Sequence, residues 1–182
     1  MADSSDTNSI AGKLAAARGY KEQGNALFRK GEYKKSIKQY RSVFLYTKGL
    51  VKASDESMRQ YAKQEDVLDK SASDGVDELN RSVYSNLAAV YLKLNRFDEA
   101  VDAASHALQL NSKDSKSLLR KGQAYMGLKD WKRAKDTLVE ADKLEPKNAA
   151  IQSALKEWKT LYAAWSDEMK AKELTTFGGK LL

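Results

Sequence analysis

The feature that most restricts this chain is a register of 34 residues. Phe97, Ala100 and Ala107 are followed one period later by Trp131, Ala134 and Ala141. Self-similarity at that period means stacked helical units, each burying its apolar face against the next, rather than layers around one centre. The last copy is the clearest. Leu118, Gly122 and Tyr125 fall on a first helix, Trp131, Ala134, Leu138 and Ala141 on a second, and Pro146 closes the unit. The copy before it reads Tyr84, Ala88, Tyr91, Asn95, Phe97, Ala100, Ala104 and Ala107. The first reads Tyr20, Gly24, Leu27, Gly31, Tyr33, Ser36, Tyr40 and Val43. Small residues at fixed places let two helices approach closely, and large ones fill the gap to the next helix. These positions specify an all-α stack of three helix pairs, placed at about residues 17–50, 81–114 and 115–148, and carry no chemistry of their own.

The first two copies are out of step. Tyr33 and Phe97 are separated by one period plus about 30 residues, so an insertion is expected over residues 51–80. Met58, Tyr61, Glu65 and Leu68 have helical spacing, which predicts that part of it is helical. Residues 71–75, Ser-Ala-Ser-Asp-Gly, read as a loop before the next helix. The insertion reads either as a solvated excursion or as a partner surface. Residues 1–10 are polar and read as a disordered tail, with helical spacing beginning near Ala11. After Pro146, the residues Ile151, Leu155, Trp158, Tyr162, Trp165 and Met169 recur at three and four. They predict a helix over 149–173 that covers the bare face of the last pair or, failing that, offers an aromatic stripe to another protein. Residues 174–182 read as a flexible tail.

Composition removes whole classes of chemistry. There is no cysteine, so no disulfide, thiolate ligand or cysteine nucleophile. The one histidine, His106, sits in a second helix and leaves almost no material for a metal site or a catalytic triad. Neither Gly24 nor Gly122 stands in a phosphate-binding loop, so no cofactor and no enzyme activity are expected. No apolar run is long enough to suggest a membrane span. The N-terminus carries acid rather than Lys or Arg, unlike a signal or transit peptide, and a cytoplasmic protein is the expectation. The net charge of +7 favours acidic partners without choosing among them. Nucleic acid is not expected, because no basic and aromatic residues interleave.

In a stack of helix pairs the first helices line the concave groove, and their outward side chains are free to bind. Lys21 and Asn25 lie four residues apart on one face of the first of these helices. Asn86 lies on the second, Lys116 and Arg120 on the third. Two ammonium groups, a guanidinium and two amides supply the donors that a pair of close carboxylates needs, as at the end of a chain. By helical spacing, Ala89 and Lys93 share the face of Asn86.

Periodicity and these five residues together resemble the tetratricopeptide-repeat co-chaperones, over roughly residues 17–148. In that family the five positions form a two-carboxylate clamp for the Glu-Glu-Val-Asp C-terminus of heat-shock protein 90 and heat-shock protein 70. The resemblance implies that Lys21, Asn25 and Asn86 hold the terminal carboxylate and nearby backbone. Lys116 and Arg120 would take the side-chain carboxylate and upstream carbonyls. Ala89 and Lys93 would meet the valine and an upstream glutamate. A client or second partner is implied but not identified. The layout is similar to the repeat half of the large immunophilins and to the tetratricopeptide repeat protein 9 family. The chain has no room for the immunophilins' isomerase domain, so that activity is not expected. The alternative to a chaperone adaptor is a scaffold whose groove takes another acidic or internal segment.

Overall fold

The computed structural model describes residues 9–63 and 66–178. Its elements are α1 (Ile10–Arg29), α2 (Tyr33–Thr47), β1 (Val51–Lys52), α3 (Glu56–Arg59), β2 (Val67–Leu68), α4 (Lys70–Lys93), α5 (Phe97–Leu110), α6 (Ser115–Gly127), α7 (Trp131–Leu144) and α8 (Ala149–Gly178). Helices α1/α2, α4/α5 and α6/α7 are antiparallel pairs stacked in chain order, with α8 laid on the last.

Each pair turns through one residue in the left-handed region at the same place in the period: Gly31 (φ 76°), Asn95 (φ 55°) and Lys129 (φ 59°). The following amide closes the turn on a carbonyl five residues back, as Glu32 N–H to Leu27, Arg96 to Tyr91 and Asp130 to Tyr125, each at 2.9 Å. The approach within a pair depends on glycine size. A Cβ on Gly24 would lie 2.6 Å from the Tyr40 ring, and one on Gly122 would lie 2.6 Å from the Leu138 side chain. In the middle pair both equivalent places are alanine, Ala88 and Ala104, both fully buried. Tyr40, Val43, Val83, Leu87, Val90 and Ala100 are among the side chains of the core between the first two pairs. Trp131, Leu138, Ala154 and Trp158 are among those of the core under α8.

The insertion differs from its expected form. Helix α4 begins at Lys70, so the loop expected at residues 71–75 is helix, and the excursion between α2 and α4 is shorter than residues 51–80. The Asp69 side chain caps the helix by accepting from Ala72 N–H at 2.7 Å, and Val76 and Leu79 are buried one and two turns later. Cap and burial outweigh a Ser/Asp/Gly composition that favours turns. Met58 lies in the single turn α3, and Leu68 is not helical but lies in β2, paired in parallel with β1 through Val51–Val67 and Lys52–Leu68. Glu65 lies outside the described residues. Leu68 drops into a small apolar cluster with Leu14 and Val76, bordered by Ile10, Leu50 and Ala72. Lys13–Asp66 at 2.5 Å and Lys52–Asp77 at 2.6 Å tie this lobe to α1 and α4.

Helix α8 packs through Ile151, Ala154 and Trp158, all buried, with the Trp158 indole N–H donating to the Trp131 carbonyl at 2.9 Å. Trp165 and Met169 are half-buried, and Tyr162 is 39% exposed. The helix continues through Gly178, beyond the expected end at residue 173. Residues 1–8 and 179–182 of the two expected tails lie outside the described residues. Among the described residues no helix is long and apolar enough to cross a membrane.

Candidate functional site: a cationic pocket in the groove

Four of the five residues singled out by position line one cavity of about 190 Å³: Asn25, Asn86, Lys116 and Arg120. Phe28, Arg29, Tyr40 and Ala89 complete its walls. Lys21 is not in the wall, but its charge reaches the pocket and contributes to lowering the Lys116 pKa. Lys93 lies farther along, with Ala89 and Arg120, in an adjoining cavity of about 410 Å³ walled by Phe28, Leu92, Phe97 and Met126 and closed by Glu157 and Leu161 of α8.

The amides are oriented before any ligand arrives. Asn25 Oδ1 accepts from the Tyr40 hydroxyl at 2.7 Å and from Asn86 Nδ2 at 3.0 Å. With its oxygen taken twice, Asn25 presents its NH₂ group as donor, here shared with Glu22 at 3.2 Å. Asn86 keeps its oxygen and its second N–H. Tyr40 therefore serves twice. Its ring fills the space that Gly24 leaves, and its hydroxyl sets the Asn25 amide. Burial pushes that hydroxyl's pKa up, so it stays protonated and a donor.

Arg120 is held by a polar chain under the groove. Arg120 Nη1 donates to Ser85 Oγ at 2.7 Å, and the Ser85 and Ser117 hydroxyls lie 2.9 Å apart. Ser117 also reaches Asp114, which accepts from Arg81 at 3.0 Å. A hydroxyl has one proton, so the run is satisfied when Arg120 donates to Ser85, Ser85 to Ser117, and Ser117 to Asp114. Among the described residues neither Lys116 nor Arg120 has a carboxylate within ion-pair distance, and the nearest to Lys21 is Glu22 at 3.9 Å. The cost appears in the titration. Desolvation lowers Arg120 to about 10, against the pull of Asp114 and Tyr40. Lys116 is lowered first by the charge of Arg120, then by desolvation, with Arg81 and Lys21 adding to it. A buried guanidinium beside an ammonium that it repels is an arrangement an anion would relieve.

Position in the period led to Lys21, Asn25, Asn86, Lys116 and Arg120, and helical spacing from Asn86 led to Ala89 and Lys93, while Phe28, Arg29, Tyr40 and the polar chain were missed. Arg29 lies four residues after Asn25, and that spacing was enough to find it. Tyr40 was legible only as core, because its hydroxyl partner is 15 residues away. The Ser85–Ser117–Asp114 chain spans two pairs and leaves no local pattern. His106 is exposed, stacked on Tyr84 with ring centres 5.0 Å apart, away from the pocket. Among the described residues no cluster of His, Asp or Glu could hold a metal ion.

Helix pairs stacked in this way, with a polar groove on the first helices, have the fold of tetratricopeptide-repeat domains. The family profile described as tetratricopeptide repeat matches residues 91–157. Among curated proteins, peptidyl-prolyl cis-trans isomerase FKBP4 of Mus musculus is 29% identical over 147 residues, covering 81% of this chain and 29% of the relative. The chain thus spans under a third of that relative's length, and the match falls on the repeat region. Among solved structures, the C-terminal TPR-containing domain of a Plasmodium falciparum FK506-binding protein superposes with a TM-score of 0.69 at 24% identity, covering 87% of this chain and 96% of that one. The second TPR domain of human RPAP3, in complex with the HSP70 peptide SGPTIEEVD, gives 0.60 at 24% identity, covering 81% and 98%. The first TPR of Spaghetti (RPAP3), bound to the HSP90 peptide SRMEEVD, gives 0.60 at 23% identity, covering 82% and 94%. These structural likenesses are of fold.

Proposed function

We propose that the protein is a non-catalytic adaptor of the cytoplasm that holds the acidic C-terminal tail of heat-shock protein 90 or heat-shock protein 70 in its concave groove. One observation carries the reading. Lys116, Arg120, Asn25 and Asn86 converge on a single small pocket that has cations, oriented amides and no carboxylate of its own. That pocket suits the two carboxylates of a terminal aspartate. The structural neighbours bound to SGPTIEEVD and SRMEEVD support the choice of partner, since both peptides end in Glu-Glu-Val-Asp.

In this reading Lys21, Asn25 and Asn86 hold the terminal carboxylate and the last backbone groups. Lys116 and Arg120 hold the side-chain carboxylate and upstream carbonyls. Ala89 packs against the valine, and Lys93 pairs with an upstream glutamate. Charge-assisted bonds contribute roughly 1.5–3 kcal/mol each. Several of them, less the ordering of the peptide, reach micromolar affinity, about −8 kcal/mol. The lobe and the far half of α8 remain for a client or second partner.

Calorimetric titration with Met-Glu-Glu-Val-Asp, as free acid and as C-terminal amide, tests the reading. Micromolar binding of the acid, lost on amidation, is expected. Equal binding of both forms would replace the clamp with a groove for internal acidic segments. Binding of neither would remove the chaperone tail as ligand.

A further inference from the structure

The positive charge of this chain is not spread along it. Residues 1–48 carry 10 Lys and Arg against 4 Asp and Glu, a net +6 of the whole chain's +7. Much of this lies on α2, which has no acidic residue in its span. At 100° per residue Lys34, Lys38, Arg41, Leu45 and Lys48 fall within about 80° of arc and run about 21 Å along the axis. All five are exposed. The opposite side of α2 buries Ser36, Tyr40, Val43 and Thr47. Through Tyr40 that inner side reaches the groove, so the stripe looks away from the pocket.

Two further observations bear on what this face meets. Among the described residues Lys34, Lys38 and Lys48 have no ion-pair partner, while Arg41 touches only a hydroxyl, that of Tyr91 at 3.5 Å. The nearby carboxylates are engaged elsewhere, Glu32 with Lys35 and Glu99 with Arg96. Leu45, set between Arg41 and Lys48, is 75% exposed.

We propose that the outer face of α2 docks the protein on an anionic phospholipid surface. The stripe is a convex ridge with cations along its length and one apolar side chain among them. This is how a helix lies on a charged leaflet, its basic side chains at the headgroups and its leucine entering beneath them. A nucleic acid would use the cations, but the stripe offers no ring to stack a base, and Leu45 would gain nothing. A folded acidic protein would have to supply its own pocket for Leu45. The face is independent of the carboxylate pocket, and both can be occupied at once, which would bring a bound protein tail to a membrane surface without any spanning helix.

The test is sedimentation of the full chain with vesicles of phosphatidylcholine alone and of phosphatidylcholine with about one-third phosphatidylserine. Co-sedimentation with the mixed vesicles alone, weakening with salt, is expected. Each basic side chain near such a surface corresponds to about five-fold in partitioning, so K34E with K38E should reduce binding about a hundred-fold or more. Leu45→Ser should reduce it by a smaller, salt-independent factor of about three to ten. Helical content and titration with Met-Glu-Glu-Val-Asp should be unchanged in both variants, which separates loss of the face from loss of the fold. Absence of binding to the mixed vesicles, or equal binding by the charge-reversed variant, would overturn the proposal. So would retention on RNA or polyglutamate in place of the vesicles, which would assign the face to a soluble polyanion.

Discussion

The groove pocket and the insertion lobe use the same side chains to opposite ends. In the lobe, Lys13 and Lys52 each meet an aspartate within 2.6 Å, and the pairs pin an irregular segment to α1 and α4. In the groove, Lys116 and Arg120 have no carboxylate within ion-pair distance among the described residues, and the charge of Arg120 lowers the Lys116 pKa while desolvation lowers that of Arg120. Paired charge holds chain to chain. Charge that is held in place but left unneutralised, as in the groove, is kept at some expense to the fold, which is what the proposed recognition of a carboxylate would require.

The comparison can be broken or sharpened by substitution. The largest effect is expected from Arg120→Ala or Lys21→Ala, each weakening the pentapeptide by roughly ten- to a hundredfold through loss of charge-assisted bonds. Thermal melting should hold or rise slightly, because a repelling cation is gone. A large fall in Tm would make the residue structural. Gly24→Ala comes next. Its Cβ meets the Tyr40 ring at 2.6 Å, so a loss of about 1–3 kcal/mol by chemical denaturation is expected. Peptide affinity should fall as well, since Tyr40 orients Asn25. In the lobe, Lys13→Ala should cost at most about 1 kcal/mol and leave titration with the pentapeptide unchanged. Smallest is Gly75→Ala in α4, where no atom lies within 4 Å of an added Cβ and a gain of about 0.5–1 kcal/mol is expected.

Alkaline titration separates the two regions in another way. Lys116 and Arg120 have folded pKa values below their unfolded ones. Between those values the unfolded chain binds more protons, so their contribution to stability improves as pH rises through the folded pKa. Peptide binding has the opposite sign, because a bound carboxylate needs both cations charged. Calorimetry across the alkaline range should find affinity falling before an ordinary lysine near 10.4 would titrate. Affinity constant to that point would mean that the cluster does not contact the ligand.

Most of the fold was legible because its signal is repetition. The repeat pattern, seen three times and at a 34-residue offset between the last two copies, placed six helices and the turn positions Gly31 and Asn95 between them. The positions that converge on the pocket were legible for the same reason, since place in the period dictates which side chains face the groove. What escaped was set by contacts distant in sequence. The start of α4 depends on Leu14 and Leu68 covering Val76, which Ser-Ala-Ser-Asp-Gly cannot announce. Strands of two residues have no alternation to read. Tyr40 matched its place as a large core residue so well that its hydroxyl went unexamined.

All three tryptophans of the chain, Trp131, Trp158 and Trp165, gather where α8 meets α7. Intrinsic indole emission is therefore a local reporter of that junction and a poor witness to the groove, whose wall contributes Tyr40 and Phe28. An unfolding curve recorded at tryptophan wavelengths times the departure of the last helix. One recorded by far-ultraviolet dichroism averages the whole stack. Any gap between the two midpoints would measure how far this array unravels from α8 before the groove pocket is lost.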